Sequence, residues 1–493
     1  MIKREQINVV WLKRDLRLED NEAIFNALSS GKRTLLIYAF EHILLEDDHY
    51  SQRHWNFIKE SIRDLNARLE PYNSKVLTIE ADIIATINQL MEVYNIKDIY
   101  SHQETGILVT YNRDKLFKRF CKNNLIEWHE NINNGVQRGL KDRTKWTEAC
   151  NTYFAIEPLR FEPSENQMLT IKEIEALESF FTIPSLETPD DSPFQNGGRT
   201  YALRYLNSFL QKRYVNYMFH ISKPELARMS CSRLSPYIAW GNLSVREVYR
   251  KAFHLKQTSE HKKALEAFMS RLRWQSHFIQ KFEMEHIMEQ ESINKGFRKL
   301  KKEISKTYQE AWRTGQTGFP LVDAAMRCLN ETGYLNFRMR ALTVSFFTHN
   351  LWQPWQAASQ HLSRMFLDFE PGIHFPQLQM QAGETGTNLL RIYNPIKNSM
   401  EHDPDGTFIK KWVPELRNLE TAFVHEPYLM TEMEQQLYNF KLGIDYPWPI
   451  VDIDETRKKA SDILWNLRKN RTVKQESRRI LNKHTLRGSN QQT

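Results

Sequence analysis

The chain has 493 residues, a charged fraction of 26% and a mean hydropathy of −0.61. That length suits two or three globular domains at roughly 100–200 residues each. No apolar run approaches the roughly 18 residues of a membrane span, and the start, Met1-Ile2-Lys3-Arg4-Glu5-Gln6, lacks the apolar stretch of a secretory signal. Net charge is +8 and the pI about 9.0, which fits a polyanionic partner such as DNA.

The first 130 residues alternate strand-like apolar runs with amphipathic segments. The runs are Ile7–Leu12, Thr34–Phe40, Lys75–Ile79, Ile96–Ser101 and Leu125–His129. Helix-like stretches such as Ser51–Leu69 and Ile84–Tyr94 lie between them. This alternation predicts a doubly wound, Rossmann-like parallel sheet, with ligands expected beyond the carboxyl ends of its strands. No G-x-G-x-x-G or P-loop follows the first strand, so ordinary dinucleotide or ATP binding is unsupported there.

Periodicity weakens from about Asn131 to Gly198. The stretch Thr182–Gly198, with Pro184, Pro189, Pro193 and Gly197-Gly198, reads as a linker. The expected divisions are an α/β domain over 1–130, a linker over 131–195 and an all-α domain over 196–485. In the helical part Leu265, Phe268, Leu272 and Ile279 recur at helical intervals. Pro320 opens a further helix and Gly333 closes it. The basic C-terminus ends in Ser489-Asn490-Gln491-Gln492-Thr493, which reads as a frayed tail.

Cys121, Cys150, Cys231 and Cys328 show neither a metal-ligand spacing nor a disulfide framework. Four buried thiols in a reducing cytoplasm are expected, without a metal or an iron–sulfur cluster.

Four segments carry chemistry. The first, Trp11–Asn21, closes the first strand. The second is Cys231-Ser232-Arg233-Leu234-Ser235-Pro236-Tyr237, followed by Trp240-Gly241. Its small hydroxyl residues and free N–H groups at a helix start suit a pyrophosphate, although an ordinary helix cap explains them too. The third runs from Thr317-Gly318-Phe319-Pro320 to Gly333-Tyr334-Leu335-Asn336-Phe337-Arg338-Met339-Arg340. The fourth begins near Asp368 and continues through Arg391-Ile392-Tyr393-Asn394-Pro395 to Phe408–Leu416. Arg340 and Asp368 form a candidate buried pair, which is costly to keep unless hydrogen-bonded and so points to organising a ligand.

In this order and spacing the four segments resemble the photolyase and cryptochrome flavoprotein family over nearly the whole chain. The resemblance implies an N-terminal α/β antenna domain, a long linker and an all-α C-terminal FAD-binding domain. It also implies light-driven electron transfer from reduced FAD to a pyrimidine dimer, a chemistry of proximity and tuned electrostatics. The alternative it implies is a cryptochrome-type photoreceptor without repair.

Carried over residue by residue, the resemblance assigns Tyr217, Cys231, Ser232, Arg233, Leu234 and Ser235 to FAD. It further assigns Gln275, Phe278, Tyr334, Arg340, Asp368 and Glu370 to the flavin site. Cys231 stands where threonine is usual. His374 falls where bacterial photolyases place asparagine opposite flavin N5, and a histidine there offers proton exchange near physiological pH. An ordinary hydrogen-bonded histidine is the equal alternative. Trp274 matches a dimer-stacking tryptophan, whereas Arg271 replaces a glutamate, Phe337 an asparagine and Met380 a second stacking tryptophan. Arginine has donors only, so dimer recognition must differ. Arg391, Lys410 and Lys411 are expected against DNA phosphates.

In the electron-transfer chain Trp355 matches the middle member and Leu378 replaces the flavin-proximal one. Trp352, three residues earlier, offers another route, unless the two are simply packed indoles on one helix. The basic run Asn294–Lys306, with Arg298, Lys299, Lys301 and Lys302, reads by default as a solvated face. His102-Gln103-Glu104-Thr105 lies near where photolyases hold an antenna folate, with other antenna chromophores equally open. The expected state is a DNA-binding monomer, with no membrane.

Overall fold

A computed structural model describes residues 4–485; the tail Ser489–Thr493 lies outside the described residues. Five strands form one parallel sheet: β1 (Gln6–Leu12), β2 (Arg33–Ala39), β3 (Leu77–Ile79), β4 (Asn95–His102) and β5 (Glu127–Asn131). Their order is β3-β2-β1-β4-β5, so the chain reverses direction across the sheet between β1 and β4.

Alternation along β1 shows why both faces are covered. Ile7, Val9 and Trp11 point into a core closed by α3 (Ile83–Val93), α4 (Leu108–Asn123) and α6 (Ile171–Glu178). Val10 and Leu12 point into the opposite core, with α1 (Glu22–Ser29) and α2 (Gln52–Leu69). This second core continues without a break into the helical half. Successive side chains of a strand face opposite ways, so one strand serves two cores.

The stretch 131–195 is more structured than its weak periodicity suggests. It contains α5 (Trp146–Ala155) as well as α6, whose Thr170 and Glu173 form a capping box. Thr34 N donates to the Gln167 carbonyl and the Thr34 carbonyl accepts from Leu169 N, which binds this segment to the start of β2. Residues 182–189 are irregular, consistent with their prolines.

The helical half holds α7 (Val245–Thr258), α8 (Lys262–Met284), α9 (Pro320–Thr332), α10 (Phe337–Ser345), α11 (Trp355–Met365), α12 (Pro371–Gln381) and α13 (Ile453–Arg468), with shorter helices between. Leu265, Phe268, Leu272 and Ile279 lie buried along α8. Pro320 begins α9 and Gly333 ends it in the left-handed region, as expected. A Cβ on Gly372 would stand 2.7 Å from the Ile279 backbone, so α8 and α12 approach closely only because this residue is glycine. All four cysteines are buried free thiols. No helix among the described residues is long and apolar enough to cross a membrane.

The halves are joined by buried polar groups. Asp20, beyond β1, accepts hydrogen bonds from Arg246 at 3.1 Å, from Leu159 N at 3.0 Å and from the Ser244 hydroxyl that caps α7. A carboxylate with this many partners repays its burial, but removing it strands the Arg246 charge. Asp20→Ala is expected to lower unfolding stability by about 3–5 kcal/mol in urea titrations, whereas Asp20→Asn, which keeps an acceptor, loses less.

Candidate flavin site

A cavity of about 1460 Å³, counted out to its mouth, opens in the helical half. Three stretches of chain build one wall each. Cys231–Ser235 enters from the loop before the short helix Ser235–Ala239, Tyr334–Arg340 from the start of α10, and Asp368–His374 from the start of α12.

The first wall is pinned from behind. Arg213 donates to the carbonyls of Cys231 and Ser232, and Gln195 exchanges hydrogen bonds with Arg233, donating to its carbonyl at 2.9 Å and accepting from its guanidinium at 2.9 Å. With those carbonyls tied outward and Arg233 in the left-handed region (φ 59°), the loop is fixed around its amides. Arg233 stacks on the Tyr334 ring at 3.9 Å. Burial pushes the Cys231 thiol up to about 12, so it stays neutral.

The second and third walls meet in the Arg340–Asp368 pair, a two-pronged bridge at 3.0 and 2.7 Å. Arg340 Nε donates to the Leu335 carbonyl at 2.9 Å, and its guanidinium covers Phe366 at 3.9 Å. The edges of the guanidinium and one of its faces are thus fixed, which leaves a rigid, charge-balanced pair in the wall.

Glu370 caps α12 by accepting from Gly372 N at 3.2 Å. Burial raises its pKa, and Arg14, 3.5 Å away, opposes that shift. Arg14 comes from the first sequence segment, beyond β1. It reaches across the domain junction to donate to the carbonyls of Ala239 (3.1 Å) and Phe369, and lies over Trp240. The function of this segment was not readable from its charges alone, because its partners lie more than 200 residues away in sequence.

His374 lines the cavity with its ring edge-on to Phe369. Its Nε2 lies 3.1 Å from both the hydroxyl and the carbonyl of Ser359. A carbonyl only accepts, so Nε2 carries the proton and Nδ1 holds the lone pair. Burial pushes the pKa down to about 3. The expected proton exchange near physiological pH is therefore corrected: in this structure His374 is a neutral, hydrogen-bonded histidine.

Of the sequence-derived cofactor residues, Tyr217, Cys231, Ser232, Arg233, Leu234, Ser235, Gln275, Tyr334, Arg340, Asp368, Glu370 and His374 line this cavity, and so does Arg271. Phe278, Trp274 and Met380 do not. Helical geometry explains the first two: Arg271 and Gln275 share one stripe of α8, while Trp274 and Phe278 share the next, packed together with ring centroids 5.7 Å apart. Trp274 is 48% exposed, with Arg271 5.8 Å from its ring. Sequence reasoning missed the wall residues Phe366, Phe369, Gln377 and Gln381 and assigned no role to Asn336. Oδ1 of Asn336 is buried without a hydrogen-bond partner, an acceptor left for a ligand donor.

Trp355 is buried and donates to Ser292 Oγ at 3.3 Å, while Leu378 stands in the cavity wall. Trp352 does not share its helix: it precedes Pro354 and α11, in the left-handed region (φ 53°). Lys302, expected on a solvated face, is instead buried, paired with Glu384 at 3.5 Å and set 4.8 Å over Trp352. Arg298 is paired with Glu291. Lys411 bridges to Glu225 at 2.8 Å, Lys410 is half-buried, and Arg391 is exposed beside a separate groove.

Near the sheet's switch point, Glu104 and Glu41 meet Arg113 at 2.5 Å each, and His102 meets Asp15 at 2.7 Å. Two members of the antenna motif are thus occupied by protein partners.

Family models match both halves: "DNA photolyase" over residues 8–134 and "FAD binding domain of DNA photolyase" over 268–466. The chain belongs to the DNA photolyase and cryptochrome family. It is 27% identical to a deoxyribodipyrimidine photo-lyase of Alkalihalophilus pseudofirmus over 92% of this chain and 97% of that one. It is also 27% identical to a cryptochrome DASH of Synechocystis sp., over 91% and 96%. The crystal structure of a Synechocystis cryptochrome superposes with a TM-score of 0.84 at 24% identity, covering 94% of this chain and all of that one. The all-α half is thus a photolyase-type FAD-binding domain, and the cavity's unpaired Asn336 acceptor and rigid ion pair fit that cofactor.

The low pKa of His374 has a linkage consequence. An unfolded histidine takes up a proton below about 6.5, whereas the folded one resists until about 3. Its contribution is therefore complete above 6.5 and lost as pH falls towards 3. Between pH 6 and 4.5, His374→Gln is expected to show a stability-versus-pH slope shallower than wild type by about 1.4 kcal/mol per pH unit in urea titrations. Parallel slopes would show that His374 is not buried neutral.

Proposed function

We propose that this chain is a blue-light-driven DNA repair enzyme for pyrimidine dimers, with FAD held in the cavity described above. The observation that carries the reading is the cavity itself. A rigid Arg340–Asp368 pair stands in its wall, and the half-exposed Trp274, the match to a dimer-stacking tryptophan, stands beside it. The basic charge of the chain and the deoxyribodipyrimidine photo-lyase named among its relatives support repair over sensing.

When bound, FAD supplies the light-driven electron that splits the dimer. The residues do the positioning. Tyr217 and Cys231–Ser235 would hold the phosphate side of FAD, Arg340, Asp368, Glu370 and His374 its flavin ring, and Gln275 would add a further contact from the cavity wall. His374 turns its Nδ1 lone pair, not a proton, to any neighbour. Arg271, with Trp274 beside it, offers guanidinium donors to base carbonyl oxygens, in place of an acceptor. The protein acts as a monomer on DNA without a metal.

The second reading, a cryptochrome-type photoreceptor, is favoured by one geometry. Arg271, a donor-only group, lines the cavity where repair enzymes present a carboxylate to the dimer, and Met380, in place of a stacking tryptophan, stands outside the wall. The deciding experiment purifies the protein, extracts its chromophores and follows blue-light repair of defined dimers in single- and double-stranded DNA. Repair requires flavin at one per chain and light-dependent loss of dimers; flavin without loss of dimers makes the protein a photoreceptor.

Within that assay, Arg340→Lys is expected to lower flavin retention at least tenfold, because an ammonium cannot form both bonds to Asp368 while holding the Leu335 carbonyl. Flavin retained at wild-type levels would remove the pair from the cofactor site.

A further inference from the structure

A buried cation needs an opposite charge or a hydrogen bond, and one at the end of α8 has neither. Lys281 is 8% exposed, yet its ammonium makes no hydrogen bond and no ion pair among the described residues. His277, Lys281 and Glu285 follow at i, i+4 and i+8, so they share one stripe of α8 and its cap. Each end of that stripe is held from another part of the chain. At His277, Arg143 from the loop after β5 donates to Nδ1 and to the backbone carbonyl, both at 2.8 Å. At Glu285, α14 (Arg471–His484) brings Arg479 at 2.6 Å and Lys483 at 3.0 Å, and its last residue, His484, stands 3.6 Å away. Helical side chains lean toward the N-terminus, so Lys281 reaches from between these ends toward Arg143.

The charges here do not balance. Glu285 is already shared by Arg479 and Lys483. Glu283 lies on another stripe, accepts from Gly139 N at 3.1 Å, and is pushed toward its neutral form by burial. Arg143 is 2% exposed and forms no ion pair among the described residues; its terminal nitrogens bond to His277, and its Nε has no hydrogen-bond partner. His277 is neutral, its pKa pushed down to about 3 by burial and next by Arg143. Neither ring nitrogen of His484, which is 4% exposed, has a hydrogen-bond partner. Burial first and Arg143 next press Lys281 down to about 8, and burial holds Arg143 down to about 10. The carbonyls closing α8 supply only a partial negative charge, and that of Met284 is taken by Lys483 at 3.0 Å.

We propose that Arg143, Lys281 and His484 form a binding site for a free phosphate-type dianion, which fastens α14 to α8 and to the loop 138–146. Two uncompensated cations match a dianion rather than chloride, and donors arriving from three segments match several oxygens on one centre. All three side chains are more than nine-tenths buried, which suits a small enclosed ion and not the phosphate of a strand. None of the three lines the flavin cavity, so the site is separate from that of the cofactor.

The test uses the full-length, flavin-loaded protein at pH 7, without DNA or light, so its outcome is separate from that of the repair assay. Isothermal titration with phosphate, against sodium chloride of equal ionic strength, is expected to show saturable binding of one ion per chain, with sulfate competing. Phosphate is expected to raise the melting temperature along the same saturation curve, as a ligand of the folded state does, and to slow amide exchange in α14. Lys281→Met is expected to weaken phosphate at least tenfold, roughly the loss of one charge-assisted hydrogen bond. In chloride alone this variant is expected to melt no lower than wild type, because it removes an unpaired buried charge. His484→Ala, at the end of α14, is expected to weaken phosphate about fivefold, the loss of one neutral donor. Unchanged flavin content certifies the fold of each variant. Absence of saturable phosphate binding in the wild type overturns the proposal. Phosphate affinity unchanged in either variant that retains its flavin overturns it too. So does amide exchange slowed only around the Cys231–Ser235 loop, which would put the ion in the flavin cavity.

Discussion

Everything in the helical half is referenced to one reach across the molecule, that of Arg14. Its guanidinium leaves the carboxyl end of the central strand and ends on the carbonyls of Ala239 and Phe369, beside Glu370 and over Trp240. Ala239 ends the short helix after the phosphate-side loop, and Phe369 and Glu370 begin the helix carrying His374. One cation therefore sets the distance between two walls of the cavity. The close approach it needs is available because position 241 is glycine: a Cβ there would stand 2.3 Å from the Arg14 carbonyl. Asp20 does the reverse, a sheet-side anion receiving Arg246 from the helical side. The sheet is thus a scaffold for the cavity, beyond whatever its own switch point holds.

Inside the cavity several wall groups are held without a mobile proton. His374 is neutral, Cys231 is a thiol and Asp368 has both oxygens committed to Arg340. Burial keeps His374 and Cys231 neutral, and the two-pronged bridge holds Asp368 in one orientation. A site organised this way changes its electrostatics little when a cofactor gains or loses an electron, which is the preorganisation that electron transfer asks of a protein.

The sheet was legible because its signal is local: five apolar runs at strand length and no more than a few residues' error at any end. The helix from Pro320 to Gly333 was legible from its two boundary residues alone. Most of the cavity was legible too, but through resemblance, since nothing in the spacing of Arg340 and Asp368 by itself requires contact. What failed was whatever depends on rotation about a helix or on distant partners. Trp274 and Phe278 sit one stripe away from Arg271 and Gln275, a difference of about 60° that a linear match does not see. The basic run around Lys302 looked solvated because its counter-charge, Glu384, lies some eighty residues on. The weakly periodic 131–195 stretch hid two short helices because they pack on the sheet and on α7 rather than on each other.

The departures at the mouth form a consistent set. An acceptor is replaced by Arg271, Phe337 presents an exposed ring where an amide is usual, and Met380 stands outside the wall. Arg271 and Phe337 put a donor and an apolar ring where base-edge contacts are usual, and Met380 gives up a stacking indole. In the repair reading proposed above, a lesion is therefore held less by edge recognition and more by the charge of Arg271 and by Trp274 beside it.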